Sequence, residues 1–353
     1  RWRRSRRRRL CVSAWSRIAI MNWVWFHRFG SPPYFYRIAG LWAPWLLGIA
    51  VVLLVIGVYG GLVVAPVDYF QSEVYRIIYM HVPSAYLSLM TYTWMAIAAA
   101  IGLVWRIKIT HAIAAACAPA GALFTAVSLA TGMIWGQPTW GTWWAWDPRI
   151  ISQLFVLFFF LGYIGLRGAI EDRDRADRAS AVLAIVGVVN VPIVHFSVDW
   201  WNSLHQAPTL LRSDGPKMPM SMAWPLLVLL GAFTFYFLAI MLMRARAEVV
   251  RRERGGNWLR EQLARPPTRP AGAVPEALLF MLAAVCVIAV LALYLPGGGA
   301  VMEFLDMSGY GRYIWWAYAI ALGGLALNIS MARRQQRQAS RDARRRLAMQ
   351  ESP

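Results

Sequence analysis

Cysteine is scarce: Cys11, Cys117 and Cys286 are the only three in 353 residues. They stand far apart, with no CxxC and no CxxCH, which excludes a disulfide framework, a dithiol redox pair and a c-type haem attachment site on this chain. Cys117 and Cys286 fall in apolar runs, where a small buried side chain is the expected role. Acidic residues are also few, 17 against 36 Lys and Arg. No GxxxxGK[ST] occurs, so any ATP chemistry must sit on another chain. No internal repeat, no cleavable signal peptide, no activated nucleophile and no general-base pair is evident. A catalytic residue is therefore not expected.

What is abundant is apolar side chain. Hydrophobic residues make up 59% of the chain and the mean hydropathy is +0.46, values of an all-α polytopic membrane protein and not of a soluble domain. The formal charge of +19 would suggest nucleic acid in a soluble chain, but here it is read by position, and no nucleic-acid partner is expected. Runs long enough to cross a bilayer, which takes about 20 residues, occur at 41–64, 83–105, 112–135, 150–168, 179–198, 222–243, 274–295 and 313–332. With the N-terminus inside, 31 of the 36 basic residues fall on the cytoplasmic side; only Arg76, Arg149, Arg212, Lys217 and Arg312 fall outside. Short basic loops stay in the cytoplasm, so the expected topology is eight helices with both termini cytoplasmic.

The chain divides by composition. Residues 1–22 form a basic extension, and 1–20 read as translated upstream sequence or a basic tail, since MNWVWFHRF from Met21 resembles a natural start. Residues 251–273 collect charge, Pro and Gly as a linker does. The arginine-rich end RRQQRQASRDARRR reads as a solvated, lipid-facing extension.

The chemically distinctive stretch is WGTWWAWDPR, Trp140 to Arg149, in which Trp140, Trp143, Trp144, Trp146 and Asp147 stand on a connector broken by Gly136, Pro138, Gly141 and Pro148. Indoles on a connector suit a large flat apolar ligand; an aromatic belt at the bilayer surface is the alternative. The topology brings His81 (in MHVP) and His205 (in WWNSLHQ) to the same outer face. His27 and His111 read as solvated or headgroup residues. His195, inside the fifth helix, reads equally as a functional intramembrane group or a packing residue.

Two imidazoles beside an aromatic platform suit few ligands. Zinc wants three or four protein ligands, so Asp147 or Asp199 would have to complete its site. Haem wants one or two axial imidazoles, a broad apolar floor and cations for its propionates. Arg76 and Arg149 lie beside these motifs and can pair carboxylates through two parallel hydrogen bonds, or serve as interfacial anchors.

These residues stand in a recognisable pattern. YRIIYMHVPSA, ATGMIWGQPTWGTWWAWDPRIISQ and GVVNVPIVHFSVDWWNSLHQ resemble the three signature stretches of the haem exporter protein C (CcmC) family of the bacterial cytochrome c maturation system. FLDMSGYGRYIWWAYAIALGGLALNISMARRQQRQ resembles haem exporter protein D (CcmD), normally a separate single-helix polypeptide. The resemblance implies a CcmC-like six-helix haem-handling domain at 23–262, a linker with an extra helix at 263–300 and a CcmD-like helix with a basic tail at 301–353. Because protein C ends inside and protein D begins outside, the extra helix 274–295 would correct the direction of the fusion.

It further implies haem b carried as cargo on the periplasmic face of the bacterial inner membrane. His81 and His205 would be the axial ligands of its iron, and Trp140, Trp143, Trp144, Trp146 and Asp147 the platform. Arg76 and Arg149 would accompany them. The haem would pass to the periplasmic haem chaperone (CcmE), with ABC transporter subunits (CcmA and CcmB) as further partners and a haem-lyase-like role resting on orientation alone. The alternative is a permease subunit moving haem across the membrane. It predicts polar or ionisable groups at mid-membrane, whereas the central portions of these helices read as almost wholly apolar. A scaffold without ligand is a third reading.

Overall fold

A computed structural model describes residues 31–206, 217–253, 256–264 and 298–351. Among them the regular structure is helical, and the only extended pairing is an isolated bridge between Asp68 and Ser72. Seven helical stretches are long and apolar enough to cross a membrane: Pro32–Val64, Glu73–Trp105, Lys108–Trp140, Pro148–Ala169, Arg173–Trp200, Met220–Arg252 and Gly311–Gln350. Each contains one of the apolar runs read from the sequence. The eighth run, 274–295, lies outside the described residues, as do the basic extension 1–22 and His27.

The helix starts carry local signals. Helix α1 (Pro32–Tyr59) opens on two prolines after Ser31, where the missing N–H groups cost nothing. It continues into a five-residue π turn, Gly60–Val64. A short 3₁₀ turn, Glu73–Ile77, leads into α2 (Ile78–Trp105). Asp147 caps α4 (Pro148–Ala169) by accepting the Arg149 N–H, and Asp172 caps α5 (Arg173–Gly187) by accepting the Arg175 N–H. A break at Val188 and Val189 separates α5 from α6 (Asn190–Trp200).

Three expectations about local structure are corrected or refined. First, α3 (Lys108–Trp140) runs through Gly136 and Pro138 and ends only at Gly141, whose φ of 76° is natural for glycine. Trp140 is therefore helical, and the irregular connector shrinks to 141–147. Second, the helix carrying His81 begins at Ile78, ahead of the apolar run 83–105, so His81 stands in its first turns at the outer end where it was expected. Third, His111 is buried in α3, its ring packed against Gly102, so it is neither solvated nor a headgroup residue.

Helix α7 (Met220–Arg252) pairs with α1 and with the C-terminal helix, which packs across α3 as well. After α8 (Asn257–Ala264) and α9 (Gly298–Asp306) comes α10 (Gly311–Glu351), a single helix of 41 residues. The arginine-rich end is thus not a loose extension. Ala339 and Ala343 pack with Ala247, Val250 and Leu259, and Gln336 donates to the Met243 carbonyl.

Polar contacts tie α10 to the bundle along its length. Tyr318 donates to the Arg76 carbonyl, Tyr236 to the Leu325 carbonyl, and Arg244 to Asn328 and Gln335. Interhelical hydrogen bonds in membranes average about 0.6 kcal/mol each, and here they add to a packed seam through Ile314, Ala317, Ala321 and Leu325. Cutting the chain at a protease site inserted within 265–297 is therefore expected to leave the C-terminal piece bound through purification in mild detergent. Asn328→Leu, which strips a partner from the buried Arg244 guanidinium, should release it in part. Complete loss of the piece from the cut but otherwise unsubstituted chain would contradict the packing.

Candidate functional site

Helix direction alternates along the chain, so 65–72, 141–147, 201–206 and the start of α10 meet at one end of the bundle. Contacts confirm the meeting: Trp135 donates to Gln71, the Leu204 N–H donates to Asp147, and the Trp143 and Tyr313 rings lie 6.2 Å apart. His81 and His205 both reach this end, with the His205 charge acting on His81, and Arg149 lies within electrostatic reach of both.

Each imidazole is framed by an indole and held at one nitrogen. The His81 ring meets Trp135 edge-on at 5.7 Å, and its Nδ1 lies 3.1 Å from the Thr131 hydroxyl. The His205 ring meets Trp140 edge-on at 4.8 Å, and its Nδ1 lies 3.1 Å from Asp147 Oδ1. The irregular part of the platform is shaped locally. Thr142 donates its hydroxyl to the Trp144 carbonyl and accepts the Trp144 N–H, and Trp144 meets Trp146 edge-on at 5.7 Å. Trp146 is 78% exposed, Trp143 55%, Trp200 56% and Trp201 50%, so much indole surface remains free for a ligand or lipid.

Asp147 is not part of an open surface. It is buried and accepts from Arg149 N–H, Leu204 N–H and Ser203 as well as facing His205. Burial pushes its carboxyl up, but these hydrogen bonds together hold it below the usual carboxylate range. Burial lowers the His205 pKa despite the neighbouring Asp147 charge. At neutral pH the contact is thus a hydrogen bond from a neutral ring to a carboxylate, not an ion pair. With its oxygens already engaged, Asp147 is poorly placed to be a third ligand of a zinc ion. No group of three or more His, Cys, Asp or Glu that could hold a metal occurs among the described residues.

The two arginines differ. The Arg76 guanidinium is bonded to Glu73 and to the Gly61 and Ala65 carbonyls, and the residue is buried. Both carbonyls lie at the C-terminal end of the α1 stretch, where intrahelical donors run out, so Arg76 closes it onto the start of α2. Arg149 makes one long contact, 3.4 Å, to the His195 carbonyl. The His195 side chain itself is exposed on α6 beside Phe196, apart from the two imidazoles.

Sequence reasoning missed Thr131, Trp135, Gln71 and Tyr313. Thr131 and Trp135 stand four residues apart, on the face of α3 that meets His81. Both lie in the run 112–135 that reads as a helix, and their spacing of four is the signal that places them on one face. The middle of the bundle is also less uniformly apolar than expected. Ser88 bonds Thr125 at 2.7 Å and accepts from Gln153, while Asn190 donates to the Ser152 carbonyl. These polar groups are buried and uncharged, and hydrogen bonds between helices are their use here.

Comparison with known proteins agrees with the pattern of motifs. The family model described as Heme exporter protein C matches residues 25–260, and that described as Heme exporter protein D (CcmD) matches residues 308–351. Neither covers 261–307. The chain is 41% identical over 238 residues to a protein of Haemophilus influenzae named Heme exporter protein C, covering 67% of this chain and 97% of that one. The Escherichia coli K12 protein of that name is 43% identical over 240 residues, covering 68% and 96%. The Paracoccus denitrificans one is 37% identical over 242 residues, covering 68% and 99%.

Proposed function

We propose, from the premise that the chain belongs to the heme exporter protein C family, that it binds haem through His81 and His205 and delivers it for c-type cytochrome assembly. The site faces the periplasm from the inner membrane, and the receiver is the periplasmic haem chaperone (CcmE). ABC transporter subunits (CcmA and CcmB) supply the ATP chemistry that this chain's motifs lack. The C-terminal segment plays the part of the heme exporter protein D that its sequence matches, bracing the site through Tyr313 and Tyr318.

The observation that carries this reading is the convergence of two imidazoles at one end of the bundle, each held at Nδ1 by its own partner and framed by Trp135 or Trp140. A bound haem supplies the iron and the vinyl group that reacts on the chaperone. The chain's own residues hold and orient. His81 and His205 offer ring nitrogens, and Trp140, Trp143, Trp144 and Trp146 offer apolar surface. Arg149, whose guanidinium has Asp147 and Asp199 within electrostatic reach but, among the described residues, is bonded to neither, is the cation for a propionate. Arg76 is already engaged by Glu73 and two carbonyls, so its contribution is to hold the start of α2, and with it His81, in place. Asp147 acts behind His205 and not as part of the floor.

The permease reading draws on the buried Ser88, Thr125 and Gln153, but those groups satisfy one another and carry no charge. Protein purified from haem-replete membranes should contain about one haem per chain, read by absorption of the detergent extract. A colourless preparation would favour the scaffold reading instead.

A further inference from the structure

The hydrogens at the two histidines can be assigned from their partners. The Thr131 hydroxyl lies 2.8 Å from the Val127 carbonyl and 3.2 Å from the Ser128 carbonyl. A hydroxyl has one hydrogen, and carbonyl oxygens only accept. That hydrogen is therefore spent within α3, and what Thr131 shows His81 Nδ1 at 3.1 Å is a lone pair. His81 is then the donor, with its hydrogen on Nδ1, and the Ser128 carbonyl is a second acceptor for that ring. In the neutral ring Nε2 is then bare.

The same result follows at His205 by a different partner. Asp147 accepts two backbone N–H groups, from Arg149 at 2.9 Å and Leu204 at 2.8 Å, and its Oδ1 lies 3.1 Å from His205 Nδ1. A carboxylate only accepts, so His205 too carries hydrogen on Nδ1 and leaves Nε2 bare. The backing groups are unequal: a buried carboxylate behind one ring, a neutral hydroxyl behind the other. A carboxylate behind a metal-bound imidazole raises its basicity, and a hydroxyl whose own hydrogen is spent elsewhere does so less.

We propose that Thr131 and Asp147 are positioning residues that fix both imidazoles in the Nδ1–H form with Nε2 free for iron, and that they make the pair unequal. His205 is the stronger donor, and the His81 bond is the one that opens when the cargo is handed on. This rests on the haem-binding reading above, which the haem content of the unsubstituted chain tests separately.

The experiment uses the full chain purified with haem. Asp147→Asn keeps the helix cap, since Asn serves well there, and removes the charge behind His205. Its ferric form should lose about tenfold in preference over the ferrous form, which raises the midpoint potential by about 59 mV. Thr131→Val removes the lone pair behind His81 and should give a mixed five- and six-coordinate absorption spectrum, with Thr131→Ser restoring the six-coordinate one. An unchanged potential in Asp147→Asn, or an unchanged spectrum in Thr131→Val, overturns the proposal. Should Asp147→Asn fail to accumulate, the Thr131 variants decide it.

Discussion

His205→Ala, and separately His81→Ala, is expected to abolish the six-coordinate bis-histidine absorption spectrum of the haem-loaded protein and to stop c-type cytochrome assembly. Each substitution would remove one of the two proposed iron ligands, and among the described residues neither Asp147 nor His195 is placed to replace it. Asp147 is engaged by backbone donors, and the His195 side chain points away on the exposed side of α6. Losing a residue behind a metal ligand costs about 10–100-fold in affinity, so losing the ligand itself should exceed about 100-fold. Imidazole added to the buffer should restore a six-coordinate spectrum in part by filling the gap. His195→Ala is the matched control and should retain the spectrum. A His205→Ala protein that still showed bis-histidine haem would refute the ligand assignment.

The second large effect is expected at the opposite end of the bundle. There Glu248 accepts from Arg167 at 2.6 Å and Arg252 at 3.1 Å, while Asp177 accepts from Arg167 at 3.2 Å and Arg252 at 2.7 Å. Two carboxylates thus hold two guanidiniums closely and, at Glu248, Arg173 and Arg251 more loosely at 3.8 and 3.9 Å; they join α4, α5 and α7, and Arg252 reaches the Lys108 carbonyl of α3 as well. The side chains are mostly out of water, with Glu248 6% exposed, Asp177 4%, Arg167 20% and Arg252 14%. An intact buried pair adds little, because desolvation offsets attraction, but breaking one leaves an uncompensated charge. Glu248→Leu is therefore expected to destabilise the bundle by about 3–5 kcal/mol, seen as a lowered thermal midpoint in detergent. Replacing all four with apolar residues should cost less than that single change. If Glu248→Leu melts with the unsubstituted protein, the cluster is open to water.

The pattern of apolar runs marked out the seven described spans because a bilayer demands length and apolarity whatever the tertiary structure. Helix ends were harder to read. Gly136 and Pro138 suggested a break, yet Pro138 falls in the last turn of α3, where neighbouring helices and side chains can offset the lost bond. The short pair Asp147-Pro148, by contrast, carried a readable cap signal. What no spacing could reveal is that the same carboxylate reaches His205. Likewise Arg76 looked available because its partners, the Gly61 and Ala65 carbonyls, are backbone groups at a helix end that side-chain spacing does not reveal. The site was legible as a list of residue types on one face. Which of those residues are engaged by neighbours, as Arg76 and Asp147 are, and which are left exposed was not.

Helix α10 runs unbroken for 41 residues, which is about 60 Å at 1.5 Å per residue. One end lies beside Trp143 and the other beside α8, so one uninterrupted helix links the indole-rich end of the bundle to the end that carries the Arg167, Asp177, Glu248 and Arg252 cluster.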